Sequence, residues 1–186
     1  IVDENNVEIR SKEAIVKRVL ALLYVADIAS ENTETTLKDY MQQYHLVEDD
    51  FTALEWNFLH DDAPDEYLFP YFAQRYQSVA ALLWAIGFIP ELDKPTTHID
   101  IPPIRDIILS RTPETLMQDA TLRSDIEILD TADRMYRYHW AVMDALLYDT
   151  PVPAGLNSIV AYERHYAMNW LIHHKNQSWE KVSTDT

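Results

Sequence analysis

The chain is 186 residues long, enough for one helical domain that buries roughly 70% of the surface its unfolded form exposes. It has no cysteine, which excludes disulfides, zinc–thiolate sites, iron–sulfur clusters and cysteine nucleophiles together. Lys plus Arg is 15 against 31 for Asp plus Glu, a net charge of −16 that repels nucleic acid and anionic membrane surfaces and leaves two readings, a basic protein partner or a plainly solvated acidic surface.

Helix signals follow one another along the chain. Ser11 is placed to cap a helix to about Ala29, with Glu13 in its first turn. Asn32 or Thr33 is expected to cap a second, to about Tyr44, and Asp49 or Asp50 a third, to about His60. A fourth is read from Asp65 to Gly87, with a kink or break at Pro70 and Gly87 as its C-cap. Its apolar run Val79–Pro90 is 12 residues, against the ~20 that a membrane span needs.

Pro90, Pro95, Pro102 and Pro103 mark residues 90–103 as a connection between an N-terminal and a C-terminal helical half. Short helices are expected at Ile104–Leu109 and after Thr112-Pro113. Ser124 and Glu127 form a capping box that opens the longest helix, to about Tyr148. Asn157 caps the last, to about His174, and the tail is irregular but anchored by Trp179. The fold expectation is an all-α, irregular multi-helix bundle of about seven to nine helices with little or no sheet, one domain over residues 1–186. No stretch reads as a signal peptide, and the chain opens on Ile1 rather than Met; a cytoplasmic location is expected.

Charges interrupt the apolar stripes. On the longest helix Ile126, Leu129, Tyr136, Trp140, Met143 and Leu147 recur at three- and four-residue spacing, with Asp133 in the same row and Asp130 and Asp144 beside it. Such a row faces a core, so Asp133 is expected to be buried. Arg18, Arg75, Glu163 and Arg164 sit among apolar residues in the same way. A buried unpaired charge costs several kcal/mol, so a buried ionic network of Arg18, Arg75, Asp133, Asp144, Glu163 and Arg164 is expected, with Arg18, Arg75 or Arg164 meeting Asp133 or Glu163. Two readings compete: helix register fixed by ion pairs, or a polar pocket in which a carboxylate of shifted pKa acts as acid or base.

The two glycines cannot furnish phosphate-cradling or dinucleotide-binding loops of the usual kind, and no cofactor is expected. The seven histidines form no HExxH pattern, and no Glu stands three residues before a His, so no metal site is expected. The catalytic candidates are Asp133, Glu163, Arg164, His139 and His165.

The segments RSKEAIVKRVLALL (Arg10–Leu23), LLWAIGFIPELDKP (Leu82–Pro95), IEILDTADRMYRYHWAVMDA (Ile126–Ala145), GLNSIVAYERHYAMNWL (Gly155–Leu171) and WEKVSTDT (Trp179–Thr186) resemble the domain of unknown function family 4272. The resemblance covers most of the chain. It departs at Gln74-Arg75-Tyr76-Gln77, where the family favours Trp-Arg-Tyr-Glu, so a role for that family carboxylate does not carry over to Gln77. It implies no activity; it singles out Arg18, Asp133, Trp140, Glu163 and Arg164 and adds Asp185.

Three functions stay open: a non-enzymatic binding protein with an acidic surface, of inhibitor or immunity type; a small-molecule binder or hydrolase-like enzyme using the Asp/Glu/Arg cluster; and an oligomeric structural module with an exposed aromatic patch. Monomer and homodimer are both compatible with the sequence.

Overall fold

The computed structural model describes residues 7–186; the opening stretch that begins at Ile1 lies outside the described residues. Within them the chain is all-α: α1 Lys12–Ala29, α2 Leu37–Tyr44, α3 Ala53–His60, α4 Leu68–Ala73, α5 Arg75–Ala85, α6 Ile101–Leu109, α7 Pro113–Asp119, α8 Asp125–Leu147 and α9 Ser158–Leu171, with short 3₁₀ turns between and after them and no strand. Helices α4 and α5 abut at Gln74, whose backbone is itself right-handed helical, so the two count as one bent helix or as a pair.

Local chemistry sets most of the boundaries. The Ser11, Thr36, Thr52, Thr112, Ser124 and Asn157 side chains each accept a main-chain N–H at a helix start. Glu55 and Glu127 complete capping boxes with Thr52 and Ser124. The cap of α2 is Thr36 rather than Asn32 or Thr33; the Thr33 hydroxyl instead takes the Thr35 N–H in the preceding turn. The cap of α3 is Thr52, and Glu48–Asp50 form a 3₁₀ turn instead. Pro70 breaks nothing. It lies in the first turn of α4, where its missing N–H has no intrahelical partner to lose, and the bend falls at Gln74. The opening helix of the C-terminal half starts earlier than expected, at Ile101, with Pro102 and Pro103 tolerated in its first turn for the same reason. Gly87 ends α5 at φ +84°, with a Cβ there only 3.0 Å from the Thr121 carbonyl. Glycine is therefore required on both counts.

Helices α1 and α5 are apolar nearly all round and are buried accordingly. Helix α5 packs between α1 and α9, and α8 packs on α9. One apolar cluster runs from Ile15 on α1 through Leu82 on α5 to Met168 on α9, and reaches Trp179 and Val182 in the tail. Trp179 meets Trp170 edge-on at 5.5 Å, which is how the tail is anchored.

Arg18 on α1 places its Nη2 2.6 Å from Glu55 Oε2 on α3, with both side chains almost fully buried. The same Glu55 oxygen accepts the Thr52 N–H at 2.9 Å, so one carboxylate both caps α3 and docks it on α1. Glu55→Ala is expected to cost about 3–5 kcal/mol, because it strands a buried guanidinium and removes a cap. The double variant Arg18→Met/Glu55→Leu should lose distinctly less; urea unfolding of the two checks this, and equal losses would contradict it.

Candidate functional site

The residues singled out on α5, α8 and α9 divide into three groups. Arg75 and Glu163 form the first. Packing of α5 on α9 brings Arg75 Nη1 within 2.5 Å of Glu163 Oε1, 88 positions apart in sequence. The Ser78 hydroxyl donates to Glu163 Oε2 at 2.7 Å, so both carboxylate oxygens are engaged. The Arg75 guanidinium also lies over the Tyr71 ring, 4.2 Å from its centre. Burial pushes the Glu163 carboxyl above its ordinary range, and Arg75 and Ser78 pull it back. Burial likewise works against the Arg75 charge, but Glu163 and other nearby acidic groups, Tyr71 among them, outweigh it and hold the guanidinium above its usual value.

His139 on α8 and His165 on α9 form the second group. Their Nδ1 atoms are 2.9 Å apart, and both rings are buried. Asn169 Nδ2 donates to the Ser183 main-chain carbonyl at 2.8 Å, which identifies that atom as the amide nitrogen. Its other hydrogen points at His165 Nε2, 3.0 Å away. His165 Nε2 is therefore the acceptor, its Nδ1 carries the proton, and His139 Nδ1 receives it. Burial, then His139 and His174, push the His165 pKa down to about 3. A proton on Nε2 would also set an N–H against the Asn169 donor. Burial lowers the His139 pKa as well. Tyr136 and Tyr162 cover the pair, each edge-on at 5.6 Å.

The third group is not where the stripe placed it. Asp133 is on the surface, its side chain 58% exposed and paired with Arg137 at 2.8 Å one turn along α8. Asp144 is half-buried and makes no ion pair among the described residues. The row that faces inward is Ile128, Thr131, Ala132, Met135, His139, Val142 and Ala145. It is largely the expected row moved back one residue, a rotation of about 100°. Small residues decide between them: Thr131, Ala132 and Ala145 on the inward row let α8 lie close on its neighbours, whereas Trp140 would hold it off.

Arg18 and Arg164 are buried but do not reach the residues expected. Arg18 serves α3, as above. Arg164 is 4% exposed, and its Nη1 donates to the Asp93 carbonyl at 2.6 Å, tying α9 to the proline-rich connection. Its Nε has no acceptor among the described residues, and burial lowers its pKa, with Asp93 opposing. Asp185 is exposed and pairs with Lys175 at 2.9 Å.

A further cluster escaped the sequence reading. Asp27 on α1, 2% exposed, accepts from the Tyr76 hydroxyl at 2.5 Å and from Arg105 Nε at 2.9 Å. Burial raises its pKa, with Tyr76 and Arg105 opposing. Its signal was legible: Leu20, Tyr24 and Asp27 share one face of α1. Glu55 was legible too, three residues after Thr52.

An open groove of about 540 Å³ lies between the proline-rich connection and α8, lined by Trp84, Leu92, Asp93, Arg123, Asp130 and Tyr138 among others. Neither Asp133 nor His139 lines it. No group of three or more His, Asp or Glu side chains among the described residues is arranged to hold a metal ion. In comparisons with known proteins, a family model described as a domain of unknown function (DUF4272) matches residues 1–182. No curated protein and no solved structure matches.

Two predictions follow from this geometry. Asp133→Ala should change stability by no more than about 0.5 kcal/mol, since an exposed i,i+4 pair contributes little, whereas Glu163→Ala should cost about 3–5 kcal/mol by stranding Arg75; thermal melts of the two rank them. The second concerns pH. His165 has a folded pKa below its unfolded one, so the unfolded chain takes up the proton first as pH falls. The stability is complete above ~6.5 and is lost towards about 3, at ~1.4 kcal/mol per pH unit. His165→Gln should therefore show about 2 kcal/mol less destabilisation than the parent between pH 7 and pH 5; parallel slopes in urea titrations would refute the assignment.

Proposed function

The chain belongs to the DUF4272 family, and for this member we propose a non-enzymatic role as a protein-interaction module that docks its partner on the outward face of α8 and the exposed edge of α9. One observation carries the reading. The row Ile126, Tyr136, Trp140, Met143 and Leu147 points to solvent, at 71, 40, 49, 43 and 76% exposure. Ile159 and Tyr162 on α9 are exposed as well. Exposed apolar side chains scattered singly are ordinary, but Tyr136, Trp140, Met143 and Leu147 follow one another turn by turn, and such a row of large ones is characteristic of docking surfaces. Tyr, Trp and Met are the residues that protein interfaces favour.

The groups beneath support a scaffold role rather than a chemical one. Glu163 has both oxygens occupied by Arg75 and Ser78. His165 has both ring nitrogens occupied by His139 and Asn169. A general base needs a free acceptor within reach of a substrate proton, and neither group presents one. These contacts hold α5, α8 and α9 in one arrangement, which is what a preorganised docking face needs.

A second reading rests on the net charge of −16: a basic protein taken on the acidic surface away from α8, as an inhibitor or immunity partner would be. Such binding would weaken steeply with salt.

The test is a photo-crosslinking residue, benzoylphenylalanine, placed at Trp140 in the native host, with the same residue at exposed Asp62 as control. Discrete protein adducts at position 140 and none at 62 are expected. The bare chain at both positions, or adducts at 62 alone, would refute the docking face.

A further inference from the structure

We infer that the partner on this face is a second copy of the chain, seated antiparallel along α8; this rests on the interaction reading above and names its occupant. The row from Ile126 to Leu147, with Leu129 and Asp133 included, alternates steps of three and four residues without a break. That is the a/d spacing by which one helix packs on another. Ile126, Trp140, Met143 and Leu147 lie exposed on the outer side of α8, while Leu129 is half-buried against the core and Tyr136 leans edge-on against His165 of α9 with its outer side still exposed. The 23 residues of α8 give a seam on the order of 35 Å long.

Charge selects the orientation. Parallel two-fold pairing sets equal positions face to face, so Asp133 would meet its own copy with both carboxylates losing water. An antiparallel axis between Arg134 and Met135 sets Asp133 against the second copy's Tyr136, whose hydroxyl can donate to it. The same axis puts Ile126 on Met143, Leu129 on Trp140, and Arg137 beside Asp130. Each contact occurs twice, and the face is thereby complementary to itself, as a two-fold interface requires.

Area agrees. At ~200 Å² for a fully exposed large side chain, the outward apolar residues of α8 present on the order of 600 Å². Ile159 and Tyr162 bring this towards the ~800 Å² per partner of a standard interface. Two chains of charge −16 repel, so self-association through this apolar seam should tighten as salt rises, opposite to the salt response of an acidic chain with a basic partner.

Sedimentation equilibrium of the full chain at micromolar concentration, in low and in high sodium chloride, reads the answer. The expected species has twice the mass of the 21.7 kDa chain and is tighter at high salt. Trp140→Glu should weaken it by about 100-fold with the helical circular dichroism and the melting temperature retained. Arg137→Asp should weaken it by about tenfold, and adding Asp130→Arg to that variant should restore it, because the swapped pair meets across the axis. A monomer at both salt concentrations overturns the inference, as does a dimer indifferent to both Trp140→Glu and the charge swap. A monomer whose position 140 still crosslinks to another protein ends self-association alone and leaves the interaction reading standing. A monomer without such adducts ends both.

Discussion

A charge inside a helical interior has to be met, by its opposite or, as at Arg164, by a main-chain carbonyl, and the placement of the helices in this chain follows from where those meetings occur. Three arginine–carboxylate pairs are involved: Arg18 with Glu55, Arg75 with Glu163 and Arg105 with Asp27. They pin α3 to α1, α5 to α9 and α6 to α1. Apolar packing alone would tolerate helices sliding past one another by a turn, since one leucine replaces another at little cost. A buried guanidinium tolerates no such slip, because a shift of one turn leaves two uncompensated charges.

How much of this was legible in the chain differs by kind of feature. Helix starts were the plainest: Ser11, Thr112-Pro113, Ser124 with Glu127, and Asn157 all act as their residue types suggest, since a cap is a contact over three residues. Proline was misleading at position 70, where its harm depends on whether the helix began five residues earlier, at Asp65, or two, at Leu68. That arginines and acids on apolar faces would be buried held for Arg18, Arg75, Glu163 and Arg164, and failed for Asp133. The failure has a physical form. Helix α8 carries two rows one residue apart, both mostly apolar, and a periodicity cannot choose between them. Side-chain size against α9 can, but α9 is known as the neighbour only after folding. Partner choice was unreadable for the same reason: 37, 88 and 78 positions separate the paired residues.

The second row on α8 then takes on its own meaning. A helix that buries one apolar row and leaves a bulkier one exposed has not finished packing by the standard of its own sequence. The buried side is ordered to the level of individual protons, through His139, His165 and Asn169. The uncovered side lies one residue around the helix from it, so the order within supports the face without.

The tail and the segment before α1 both close on the end of α9. Arg10 donates to the Trp170 and Gln177 carbonyls, and its own N–H reaches Leu171. Asn169 holds the Ser183 carbonyl, and the Ser183 N–H reaches Gln177. Residues made early and residues made late thus share one latch. During synthesis on the ribosome α1 can coil as soon as it emerges and pack on α4 and α5, yet the other side of α5 stays open until α9 has followed. Nascent forms therefore wait with the α9 side of α5 uncovered, a stage at which a chaperone has most to offer.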